Sequence, residues 1–189
     1  MSARLLSIFL ALAACGPREI IVVELPPGSD GGRPEQGPGC ADDTDCAQLP
    51  TSFCEKPSCG ARLGHCNRKP PVASCSAVLE PVCGCNGVNY WNDCHRVARG
   101  IESRVPGACA APVTCTASAA CAGFGASCAL LLESASSCAA VPSGVCWVLP
   151  LTCPPGDSAW ESCSGAPICE GFCAAIRSGA TRRQVNSCP

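Results

Sequence analysis

Cys75-Ser76-Ala77-Val78-Leu79-Glu80-Pro81-Val82-Cys83-Gly84-Cys85-Asn86-Gly87-Val88-Asn89-Tyr90-Trp91-Asn92-Asp93-Cys94 is the stretch that decides how this chain folds. Asn86-Gly87 signals a tight hairpin turn, because both residues tolerate positive φ. Asn92 can cap a helix starting near Asp93, whose carboxylate suits the positive end of the helix. That helix carries Val97 and Ala98 and stops at Gly100, a natural left-handed terminator. Ile101 to Val105 then returns as a strand. The local expectation is a small antiparallel hairpin, one short helix and a long irregular loop, held by crosslinks.

The cysteines around this stretch extend the reading. Apart from Cys15, they form two blocks of ten: 40, 46, 54, 59, 66, 75, 83, 85, 94, 109 and 115, 121, 128, 138, 146, 153, 163, 169, 173, 188. Each block opens with two cysteines separated by five residues and closes with two separated by fourteen, and a glycine, Gly100 or Gly179, falls six positions after the first cysteine of each closing pair. This pattern reads as an old tandem duplication. It predicts a small disulfide-rich fold of two self-contained, fully paired modules. Module one spans 40–109, module two 115–188, and Ala110 to Thr114 is a short joint.

Composition explains the need for crosslinks. The chain has 189 residues and 21 cysteines, a density that indicates an oxidising compartment. Cysteine and alanine inflate the apolar fraction of 47%; aromatics are only 4%. Module one has Phe53, Tyr90 and Trp91, and module two has Phe124, Trp147, Trp160 and Phe172. Modules of this size with so few large apolar groups depend on bridges, each worth about 2–4 kcal/mol. A net charge of −2 with no basic patch gives no sign of nucleic acid.

The segment 75–94 resembles the Kazal-type serine protease inhibitor family, in a bacterial Kazal-like variant. The matching features are seven residues between Cys75 and Cys83, ten between Cys83 and Cys94, Pro81-Val82-Cys83-Gly84, and Tyr90 with Asn92 before Cys94. The resemblance covers about 66–109. It implies a reactive loop after Cys75, with Ser76 before the primary-specificity residue Ala77 and Val78 and Leu79 after it. Asn92 and Tyr90 would support the loop. The family's fifth cysteine has no counterpart between Cys94 and Cys109. The resemblance then suggests that Cys85 pairs with Cys66, beside Cys75–Cys94 and Cys83–Cys109, although six cysteines allow other pairings. The implied activity is inhibition of a serine protease by a rigid substrate mimic. Alanine at the primary position implies an elastase-like or subtilisin-like target, since trypsin prefers a basic residue and chymotrypsin an aromatic one.

The N-terminus adds a second resemblance. An apolar run from Leu5 to Ala14 is too short to span a bilayer and suits a signal peptide. Leu12-Ala13-Ala14-Cys15 resembles a bacterial lipobox, which implies cleavage after residue 14 and lipid on Cys15. Two or more acyl chains make a stable membrane anchor. Gly and Pro fill 11 of the 24 positions from 16 to 39, so 15–39 reads as a tether with a span of roughly 25–30 Å. The expected location is the bacterial cell envelope, at the outer membrane or cell surface.

Other chemistries find little support. Zinc favours Cys-x2-Cys pairs, and none occurs. His65 and His95 adjoin cysteines and are expected on the surface. Asp42-Asp43-Thr44-Asp45 lacks the glycine turn and distal glutamate of a calcium loop and reads as a solvated, helix-starting segment. No catalytic motif or cofactor fingerprint is present, so neither an enzyme nor a cofactor is expected. Module two lacks the Pro-Val-Cys-Gly and Tyr-x-Asn features. Its loop after Cys153 begins Pro154-Pro155-Gly156, and a helix over Ala174, Ala175, Ile176 and Arg177 is expected to survive. The alternative to an inhibitor is a non-inhibitory surface module that binds a protein or an envelope polymer.

Overall fold

A computed structural model describes residues 37–132, 138, 143–155, 160–163 and 169–185. The signal segment 1–14, Cys15, the tether up to residue 36, Gly156 and Cys188 lie outside the described residues. Short strands dominate. They are β1 (Gly39–Cys40), β2 (Ser52–Glu55), β3 (Gly64–Arg68), β4 (Val82–Gly84), β5 (Asn89–Tyr90), β6 (Ser103–Pro106) and β7 (Thr114–Cys115). They continue with β8 (Ser127–Ala129), β9 (Leu131–Leu132), β10 (Gly144–Val148), β11 (Trp160–Ser162), β12 (Cys169–Glu170) and β13 (Arg182–Gln184). Among the described residues two α-helices accompany them, α1 (Asp93–Ala98) and α2 (Phe172–Arg177). Among the described residues, nine disulfides hold these elements, each within one cysteine block.

Block one starts with a clip. Strands β1, β3 and β2 form a three-stranded antiparallel sheet in that order. Cys40–Cys54 and Cys46–Cys66 staple a 3-10 turn, Asp43–Cys46, onto it. The acidic run is spent on the backbone. Asp42 accepts from Thr44 N at 2.8 Å, Asp45 from Ala41 N at 2.6 Å, and Asp43 from Cys54 N at 2.9 Å. The Thr44 hydroxyl and amide together hold the Asp42 carboxyl below its ordinary value.

The quoted stretch follows the clip. Strands β4 and β5 form the hairpin, with Gly87 at φ +75° in its turn, and β6 pairs antiparallel on the other side of β4. Gly84 is needed because a Cβ there would lie 2.6 Å from the Tyr90 ring. Asn92 caps α1 by accepting from His95 N, and Gly100 follows the helix at φ +69°. The bridges are Cys59–Cys85, Cys75–Cys94 and Cys83–Cys109. The suggested Cys66–Cys85 pairing is therefore corrected. Cys66 is committed to the clip through Cys46, and Cys85, just past β4, reaches back to Cys59 instead.

Block two repeats this plan. Strands β7, β10 and β8 have the order and antiparallel sense of β1, β3 and β2. Cys115–Cys128 and Cys121–Cys146 repeat the two clip bridges, around a 3-10 turn at Ser118–Phe124. Gly144 stands opposite Cys115 as Gly64 stands opposite Cys40, and a Cβ at either glycine would press into backbone of the neighbouring strand. Strand β11, flanked by β12 and β13, takes the place of β4 flanked by β5 and β6. Cys153–Cys173 then matches Cys75–Cys94, and Cys138–Cys163 matches Cys59–Cys85.

The two blocks are not self-contained, which corrects the expectation of independent modules. Strand β10 pairs in parallel with β5, Trp147 opposite Asn89 and Val148 opposite Tyr90. One core joins Val88 and Tyr90 to Cys121, Cys128, Cys146 and Val148. A second joins Trp91 to Trp147, Ile176 and partly buried Phe172. With so few large apolar groups per block, pooling them is the way to bury them. His95 is also corrected: it is 1% exposed, because α1 turns it inward rather than to the surface. Burial holds its imidazole below the ordinary value of 6.5. His65 is half-buried beside Glu55.

Candidate functional site: a braced loop at Ser76–Leu79

The loop that leaves Cys75 has no regular secondary structure until β4. It is anchored at its start by the Cys75–Cys94 bridge to α1 and at its end by β4. Between these anchors, two adjacent side chains hold three successive carbonyls. The Asn92 amide donates to Ser76 O at 2.8 Å and to Val78 O at 2.9 Å. The Trp91 indole Nε1 donates to Ala77 O at 2.8 Å. Glu80 N donates to Trp91 O at 3.0 Å, so the far side of the loop is tied as well. Ser76 Oγ accepts from Val78 N at 3.1 Å within the loop.

Asn92 can do this because its position is fixed. Its Oδ1 caps α1, which turns its two amide hydrogens toward the loop, and it is 6% exposed. One side chain thus starts a helix and braces a loop. The outer side chains remain free for contact: Val78 is 59% and Leu79 42% exposed, Ser76 is exposed and Ala77 half-buried. A loop of this kind loses little conformational entropy on docking.

The remaining expected site residues divide. Tyr90 lies in the shared core rather than against the loop, and its hydroxyl accepts from Asn86 Nδ2 at 2.9 Å. Burial raises its phenol above the ordinary range. Cys83 and Cys109 close the sheet under the loop, with Cys109 N donating to Asn89 Oδ1 at 2.7 Å. Cys66 belongs to the clip. The residue that sequence reasoning missed is Trp91. Trp91 is the one tryptophan of block one, and an indole N–H needs a partner once buried; that was the available signal.

Metal chemistry has little foothold in the described residues. The two places where three cysteine sulfurs come together, Cys40/Cys46/Cys66 and Cys115/Cys121/Cys146, are adjacent disulfides. No described helix is long and apolar enough to cross a membrane. What this geometry defines is a small disulfide-rich protein that presents one braced, partly apolar loop. No family model matches the chain, and no curated protein matches it.

Proposed function

We propose that the loop Ser76–Leu79 is a substrate-mimicking ligand for a serine-type protease, displayed at the bacterial cell envelope through lipid on Cys15. Ala77 would fill a small or permissive primary pocket, of elastase-like or subtilisin-like kind, with Val78 and Leu79 beyond the scissile bond. The observation that carries this reading is the Asn92 amide, which bonds the carbonyls on either side of Ala77 and leaves the outer side chains exposed. A loop so held offers a protease main chain and side chains at low entropic cost. Its resemblance to Kazal-type inhibitors rests on the same residues.

A second reading has one observation behind it. The Ala77 carbonyl is already engaged by Trp91, whereas an oxyanion hole needs that oxygen. This favours a non-inhibitory module that binds a protein or an envelope polymer through the same exposed side chains.

Inhibition assays on the oxidised full chain separate the two. The full chain is required because Trp91 is covered by block two. The inhibitor reading expects subtilisin or elastase to be inhibited, with preference moving toward trypsin in Ala77→Arg. If a broad panel of serine proteases is untouched while the bridges are verified by peptide mapping, that reading fails and the binding module remains.

A further inference from the structure

Trp91 holds the one carbonyl that a protease has to take. Its indole Nε1 donates to Ala77 O at 2.8 Å. The ring is 2% exposed, lying 5.9 Å from Phe172 and 6.5 Å from Trp147 between centroids. Its backbone N donates to Val148 O at 3.0 Å. The bond is thus made from inside block one but fixed in place by block two. A serine protease stabilises its reaction with donors placed about 2.7–3.1 Å from that same oxygen. A carbonyl oxygen has two lone pairs. Two oxyanion-hole donors plus the indole exceed them.

We infer that Trp91 is a positioning residue that keeps the Ala77 carbonyl turned inward in the resting protein and has to release it before a protease's oxyanion hole can engage. This rests on the inhibitor reading. The flanking carbonyls stay on Asn92, so release re-aims one peptide unit rather than unfolding the loop. The resting loop is latent: re-aiming the Ala77–Val78 peptide unit gives up both the indole bond and the bond from Val78 N to Ser76 Oγ, and the indole's share is the net worth of one hydrogen bond. That worth corresponds to about a two- to tenfold change in the inhibition constant.

The test compares the oxidised full chain with Trp91→Phe, which keeps an aromatic ring and loses the donor. Trp147→Phe serves as control, because it thins the same aromatic cluster and leaves the Ala77 bond in place. Trp91→Phe is expected to inhibit subtilisin about two- to tenfold more tightly, with Trp147→Phe unchanged or weaker. Inhibition by Trp91→Phe equal to or weaker than that of the parent chain overturns the inference and leaves the inhibitor reading standing. Should Trp91→Phe not form its bridges, exchange of the Trp91 indole hydrogen is followed by NMR in the unaltered protein. Slow exchange in the free protein that becomes faster in complex with subtilisin supports release. Fast exchange in the free protein, or protection unchanged in the complex, overturns it. Failure of both chains to inhibit, with the indole protected, overturns the inhibitor reading and this inference with it.

Discussion

The two halves share a frame and differ in what the frame presents. In block one, Asn92 caps α1 and braces the loop after Cys75. In block two the corresponding cap is Gly171, which makes no side-chain cap bond to α2. In block one, Cys83 on β4 stands opposite Asn89. In block two the matching pair is Glu161 opposite Cys169, with the cysteine moved across to the neighbouring strand. Glu161 instead pairs with Arg183, opposite it on β13. The helix contact differs too. Arg96 reaches Glu55 on β2 at 2.7 Å, whereas the matching positions in block two hold buried Ala175 and Ala129. Bridges and strand order therefore set the scaffold, and in block one the side chains of Trp91 and Asn92 hold the loop.

Exchanging these solutions between the halves tests the comparison, beginning with the largest expected effect. Arg96→Ala should cost about 3–4 kcal/mol in denaturant unfolding, because it breaks a network around one buried guanidinium, which bonds Glu55, Asp93 and the Ile101 carbonyl, while half-buried Glu55 keeps Asn67. The double change Glu55→Ala with Arg96→Ala copies block two and should recover part of that loss; a double variant no better than the single would show that the pair is not the unit. Replacing Cys75 and Cys94 together by serine opens a loop with a sequence separation of 19 and should cost about 3 kcal/mol. The same replacement at Cys153 and Cys173, with a separation of 20, should cost a similar amount. Proteolysis should then cut the Ser76–Leu79 loop quickly in the first variant only.

Asn92→Gly gives block one the cap of block two. Two loop hydrogen bonds are lost, for about 1–3 kcal/mol, with faster cleavage near Ala77 by limited proteolysis. The smallest effect is on pH. The unfolded chain binds a proton at His95 near 6.5, while burial makes the folded form resist it. Stability is therefore full above about 6.5 and falls as the solution is acidified toward the lower folded-state value. His95→Gln should flatten that part of a melting-temperature profile measured against pH.

Local chemistry was legible in the sequence where it acts over a few residues. Asn86-Gly87, the Asn92 cap and the Gly100 stop lead directly to the hairpin, α1 and its end. The clip was hidden, because cysteine pairing depends on which strands meet, and the partner of Cys85 lies 26 positions upstream. The same holds for His95, whose burial follows from the turn of α1 against the loop. The parallel pairing of β5 with β10 leaves no local trace, and with it went the role of Trp91. Short strands without long alternation carry little information about which neighbour they choose.

The pairing of β5 with β10 also sets an order of maturation. A chain made N-terminus first carries its loop, its capping asparagine and all ten cysteines of block one before Val148 and Phe172 have been added. Until they arrive, Trp91 lacks the cover of block two, and the loop depends on Asn92 and the Cys75–Cys94 bridge. Block two completes the brace that block one begins, so the loop reaches its resting geometry only when the whole chain has folded.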